Sequence, residues 1–100
     1  MNAKMYITPH AAQRFTERFG VKVSEHSIVS FNDLVKMADG KDELGVPHIF
    51  LKLKNVDAVL VATLNTHPKT RKQAPVVCKS VLTAEMVKAY INKGYYKEAA

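Results

Sequence analysis

Residues 25–40 read EHSIVSFNDLVKMADG, and the architecture turns on how that stretch folds. Ile28, Phe31, Leu34, Val35 and Ala38 recur at intervals that gather apolar side chains on one side of an α-helix. Gly40 supplies a stop signal. The spacing predicts a helix from about Glu25 to Ala38, with a loop over Lys41 to Pro47.

A first helix is expected upstream, in TPHAAQRFTERFG, Thr8 to Gly20. Thr8 can cap it, Pro9 suits the first helical position, and Gly20 suits the residue just past the end. Ala11, Ala12, Phe15 and Phe19 form its apolar stripe. Lys4 to Ile7 adds a short edge strand.

Strands follow downstream. In HIFLKLK, His48 to Lys54, Ile49, Leu51 and Leu53 alternate with Phe50, Lys52 and Lys54. A turn near Asn55 and Asp57 leads into Ala58 to Asn65, apolar almost throughout, as for a central strand covered on both faces. Thr66 to Pro75 is a basic turn. The next strand, PVVCKSVL, places Val77 and Val81 opposite Cys78 and Leu82. Thr83 then caps a last helix carrying Met86, Val87, Tyr90 and Ile91, which stops at Gly94. The expected fold class is α+β: N-terminal helices packed on a small, three- to four-stranded antiparallel sheet, with a C-terminal helix. It forms a single domain over residues 1–100, with an ordered core over 7–93 and a loosely held tail over 94–100.

Of the 100 residues, 47% are hydrophobic, enough for one modest core that needs neither disulfide nor metal. The single cysteine, Cys78, suits a reducing compartment. No apolar run approaches the roughly 20 residues of a membrane span, and the first ten residues lack the apolar region of a secretory signal. The expected location is the cytoplasm, with no membrane partner.

Fifteen Lys and Arg against nine Asp and Glu give a net charge of +6. Such a balance favours polyanionic partners. The distribution sharpens this: from Ala58 to Ala84 there is no acidic residue, while Lys69, Arg71, Lys72 and Lys79 fall inside that window. The segment TLNTHPKTRK is dense in phosphate-binding groups, although a solvated hairpin loop would have the same composition.

On the first helix His10, Arg14 and Arg18 follow an i, i+4, i+8 pattern and share a side. A bland reading competes: Arg14 with Glu17 is an ordinary surface pair, and Arg18 lays its stem on the apolar edge. His48 is either an acid–base group or an idle strand-end residue, and His26 receives no role. Cys-x-x-Cys, His-Glu-x-x-His and Gly-rich phosphate loops are missing from the sequence. The spacing of its four histidines and one cysteine suits no metal. Its tyrosines and phenylalanines do not follow the stacking pattern of a sheet-based single-strand RNA reader.

The helix motif His-Ala-x-x-Arg-x-x-x-Arg, here His10 to Arg18, with a late Val81-Leu82-Thr83, resembles a group of small bacterial and phage proteins. That group in turn resembles the barnase–EndoU–colicin–RelE superfamily of metal-independent ribonucleases and toxin components. The resemblance runs from Ile7 to about Met86. It implies an RNA-directed endoribonuclease without metal or cofactor, in which the ribose 2′-OH attacks its own phosphate. His10 would be the acid or base, and Arg14 and Arg18 would clamp phosphate. His67 and Thr83 are further catalytic candidates, with Thr63 and Lys79 beside them by strand position. Lys69, Arg71, Lys72 and Lys79 would bind the nucleic acid. RNA is the implied partner, with an antitoxin or host protein as another. The alternative is a non-catalytic basic phage or mobile-element protein that binds nucleic acid or inhibits a host protein.

Overall fold

Residues 25–40 form two strands rather than a helix. The computed structural model describes residues 1–99. Its elements are β1 (Ala3–Ile7), α1 (Pro9–Phe19), β2 (Ile28–Phe31), β3 (Val35–Lys41), β4 (Pro47–Lys52), β5 (Ala58–Leu64), β6 (Val76–Thr83), α2 (Ala84–Asn92) and β7 (Lys97–Glu98). The helical stripe expected over Glu25 to Ala38 would bury Ile28 and Val35, yet they are 38% and 61% exposed. Between the two strands Asp33 adopts a left-handed φ of 56°, which stops any helix. The Leu34 amide there donates to the Met1 carbonyl at 2.7 Å.

All seven strands join one sheet in the order β2-β1-β6-β5-β4-β3-β7. β1 runs parallel to β6, and every other pairing is antiparallel. The expected fold of helices on a three- to four-stranded antiparallel sheet is therefore corrected: among the described residues the protein is sheet-dominated and mixed, with two short helices. The antiparallel meander over β4, β5 and β6 matches the expectation drawn from adjacent strands joined by short loops. The insertion of β1 against β6 has no such local signal, because it joins residues about seventy positions apart.

The sheet cannot be flat. β2 and β3 lie five strand spacings apart, about 24 Å in a flat sheet, yet the link over residues 32–34 spans at most about 14 Å. The sheet must curl, bringing its β2 end back toward β3, and α1 fills the resulting hollow. Phe15 of α1 stacks on Phe31 with ring centroids 6.3 Å apart. Around it Met5, Ile7, Leu34, Leu51, Leu60, Cys78 and Val81 complete the first core. On the other face α2 covers a second core of Phe50, Val59, Val61, Leu82 and Val87. Thus β5 is buried on both sides.

A bulge refines the reading of β6. Ala62 pairs with Cys78 and Val61 with Ser80, so Lys79 is an extra residue. The alternation shifts there. Cys78 and Val81 face the first core and Leu82 the second, whereas strict alternation had put Cys78 with Leu82.

The C-terminal residues expected to be loose are held in part. Tyr96 lies 4.1 Å, ring to ring, from Phe50, and β7 pairs with β3. Residue 100 of that tail lies outside the described residues. Among the described residues no helix is long and apolar enough to cross a membrane.

Candidate nucleic-acid interface

Strand register builds a row of side chains across the sheet. Tyr6 pairs with Val77, Val77 with Thr63, and His48 with Gly40. Ile49 pairs with Ala62, which sets His48 beside Thr63. The neighbours Met5, Ile7, Ala62, Cys78 and Ile49 all face the first core. Alternation therefore turns Tyr6, Val77, Thr63 and His48 to the face away from α1.

At one end of this row lies a cleft of about 480 Å³, lined by Tyr6, Thr63, Val77 and the bulged Lys79 and roofed by His67 and Thr70. Val46 and Leu64 form an apolar lip. The roof is the basic loop, and Asn65 organises it. Only 8% exposed, Asn65 donates from Nδ2 to Thr70 Oγ1 at 2.9 Å and to the Ala74 carbonyl at 2.8 Å. Its Oδ1 accepts the His67 amide at 3.0 Å. One buried amide thus fixes both ends of a solvent-facing turn.

The His67 ring takes part in that turn: its Nδ1 accepts the Lys69 amide at 3.3 Å. In the neutral ring the proton then sits on Nε2, which remains available to a ligand. Tyr6 is held by a hydrogen bond between its hydroxyl and His26 Nδ1. Thr63 Oγ1 donates to the Pro47 carbonyl at 3.0 Å.

Beyond Thr63 sits a more enclosed group. His48 Nε2 is 3.9 Å from Asp42 Oδ2 and is buried with no hydrogen-bond partner among the described residues. Burial holds the imidazole below its ordinary pKa, against the pull of Asp42 and with Lys79 adding to the depression. The Asp42 carboxyl is also held low, first by the Val46 amide and then by the Leu44 amide, with His48 and Lys79 contributing. At neutral pH His48 is therefore a neutral ring beside a carboxylate, and the two do not form an ion pair.

The structure brings His67 and Lys79 together in one cleft. His10, Arg14 and Arg18 are not part of its wall. They belong to α1, which packs on the opposite face. Arg18 Nη1 donates to the Val81 carbonyl at 2.5 Å, and Arg14 pairs with Glu17 at 2.5 Å. Glu17 also accepts from Gln13 at 2.7 Å, and these two bonds hold its carboxyl below the usual range. His10 is exposed in the first turn of α1.

Thr83 caps α2, its hydroxyl accepting the Met86 amide at 3.2 Å. Lys69 and Arg71 are exposed on the loop, and Lys72 lines a second groove together with Lys4. Among the described residues no carboxylate lies within ion-pair distance of Lys69, Arg71, Lys72 or Lys79. The sequence does not single out Tyr6 or Asp42, and it leaves both roles open for His48. The only local signal was that His48 alternates with Ile49 and so points away from the first core.

Compared with protein-family models, curated proteins and solved structures, the chain matches none.

Proposed function

We propose that this protein binds RNA at the cleft beneath the basic loop and cleaves it there as a metal-independent endoribonuclease. The observation that carries the reading is a cleft that holds Lys79 and His67 under a loop carrying Lys69, Arg71 and Lys72, with no carboxylate within ion-pair distance of any of the four cations among the described residues. Cations at close range favour phosphate, and an imidazole N–H adds a hydrogen-bond donor for it. In the proposed reaction water takes the proton of a ribose 2′-OH, while His67 donates a hydrogen bond from Nε2 to the phosphate. The 2′ oxygen bonds to its own phosphorus, the bond to the 5′ oxygen breaks, and that oxygen takes a proton from water. Lys79 stabilises the charge gathering on the phosphorus oxygens. The cytoplasm is the proposed site of action, with cellular RNA as substrate.

One observation favours binding without cleavage. Arg14 and Arg18, the arginines that the family resemblance would place on phosphate, are engaged by Glu17 and by the Val81 carbonyl. The same experiment separates the two readings. Purified wild type, His67→Ala, Lys79→Ala and His10→Ala are incubated with total RNA in EDTA, and the 3′ ends are examined. Cleavage leaving 2′,3′-cyclic phosphates, lost in His67→Ala and Lys79→Ala and kept in His10→Ala, is the expected result. Binding with no cleavage by folded wild type would replace the nuclease by the binder.

A further inference from the structure

Resting on the RNA-binding reading, we infer that the cleft is a subsite for one unpaired nucleobase, so that the protein takes single-stranded RNA and not duplex. A site for phosphate alone would be lined by donors. This cleft is lined mostly by apolar surface: Val77 on the floor, the Tyr6 ring at one side, Val46 and Leu64 at the lip. Leu64 is 78% exposed and Val46 41%, and the two meet at the same cleft, giving its mouth an apolar patch that a flat ring can cover. The volume of about 480 Å³ exceeds what one base needs and leaves room for its sugar.

The polar groups stand at the edges. Lys79 emerges from the bulge at one side, and His67 and Thr70 hang from the roof. That is the arrangement of a backbone held by cations while the base enters an apolar slot. Two features pre-form it: Asn65 fixes the roof, and the His26 bond fixes the tyrosine ring. A paired base has both faces stacked and its edge occupied, so duplex cannot enter. The slot uses a single tyrosine with aliphatic walls, which is why the aromatic pattern of the sequence gave no sign of it. Charge complementarity chooses RNA over a protein segment as occupant: all four cations near the loop lack a carboxylate partner among the described residues.

The test uses fluorescence anisotropy at fixed salt with a short 2′-O-methylated single-stranded RNA that cannot be cleaved. It is compared with its abasic copy and with the same strand in duplex. The intact strand should bind about tenfold or more tighter than either, the effect of seating one base. Leu64→Ala, on an exposed side chain, should narrow that gap to about twofold or threefold. Lys79→Ala should weaken intact and abasic strands alike. Equal affinity for intact and abasic strands would overturn the base subsite and leave RNA held by its backbone alone. A gap unchanged by Leu64→Ala would overturn the placement of the base at this lip. Failure of every RNA to bind would remove the RNA-binding reading and this inference with it, leaving the lip as a protein contact.

Discussion

The guanidinium of Arg18 reaches from α1 to the Val81 carbonyl at 2.5 Å, where β6 runs on past the end of its partner β1. β1 stops at Ile7, paired with Cys78. Beyond that point the carbonyls of β6 on this side need other donors. Thr8 Oγ1 serves Cys78 at 3.2 Å and Arg18 serves Val81. Arg18→Ala leaves a partly buried carbonyl without its charged donor, at a cost of about 1.5–3 kcal/mol. The melting temperature should fall by about 4–8 °C per kcal/mol in a domain of this size. A variant with unchanged melting and lost RNA binding would instead make Arg18 a phosphate ligand.

Asn65→Ala should loosen the roof of the cleft. Three side-chain hydrogen bonds disappear, and roughly 2–3 kcal/mol is lost with a buried amide network of this kind. Amide exchange should rise over residues 66–74 while β4 and β5 stay protected. Protection that persists in the loop would show that Pro68 and the backbone turns hold it alone.

His48 should make the protein less stable on mild acidification. Its folded pKa lies below the ordinary 6.5, so the unfolded chain binds the proton more readily. The stability contribution is complete above 6.5 and declines as pH falls through the lower folded value. Asp42 acts with the same sign, but only below its ordinary 3.8. Melting temperature measured from pH 7.5 down to 5 should fall, and His48→Gln should flatten the curve in that window. An equal slope in the variant would assign it to other groups.

Gly40→Ala should destabilise although its backbone tolerates alanine. An added Cβ would stand 2.6 Å from Tyr96 Cδ1 and 2.9 Å from Phe50 Cε2. Overpacking of this order costs about 1–3 kcal/mol, and denaturant melts should show it. Tyr96→Ala in the same chain should recover part of the loss that Gly40→Ala causes. Absence of any coupling between the two would mean that the C-terminal tyrosine does not close on β3.

Cys78 is fully buried with its thiol pushed up to about 12. Alkylation at pH 8 should proceed only as fast as the protein opens. Rapid labelling of the folded protein would place the β1–β6 seam at the surface.

Local signals exposed some of this and long-range pairing hid the rest. α1 is written in Thr8, Pro9 and Gly20, and each performs the expected capping role. β5 is written in its unbroken apolar run. Residues 25–40 misled because two short strands around a three-residue link happen to repeat apolar residues at helical spacing. The discriminating signals were the β-branched pair Ile28-Val29 and the turn-forming Asn32-Asp33. In the cleft, His67 and Lys79 stood out because no acid interrupts their segment. Tyr6 and His48 did not, since only strand register sets them in one row with Thr63, from positions scattered along the chain.

The parallel pairing of β1 with β6 has a consequence for synthesis on the ribosome. β1 leaves the exit tunnel first, yet its inner neighbour is complete only after Thr83. Until then β1 can pair only with β2, and Met5 and Ile7 wait beside an open edge with only α1 to cover them. Contacts so distant along the chain form slowly, and open edges invite pairing between chains. The nascent protein is therefore most exposed to aggregation and to chaperones over the interval between the synthesis of residues 31 and 83.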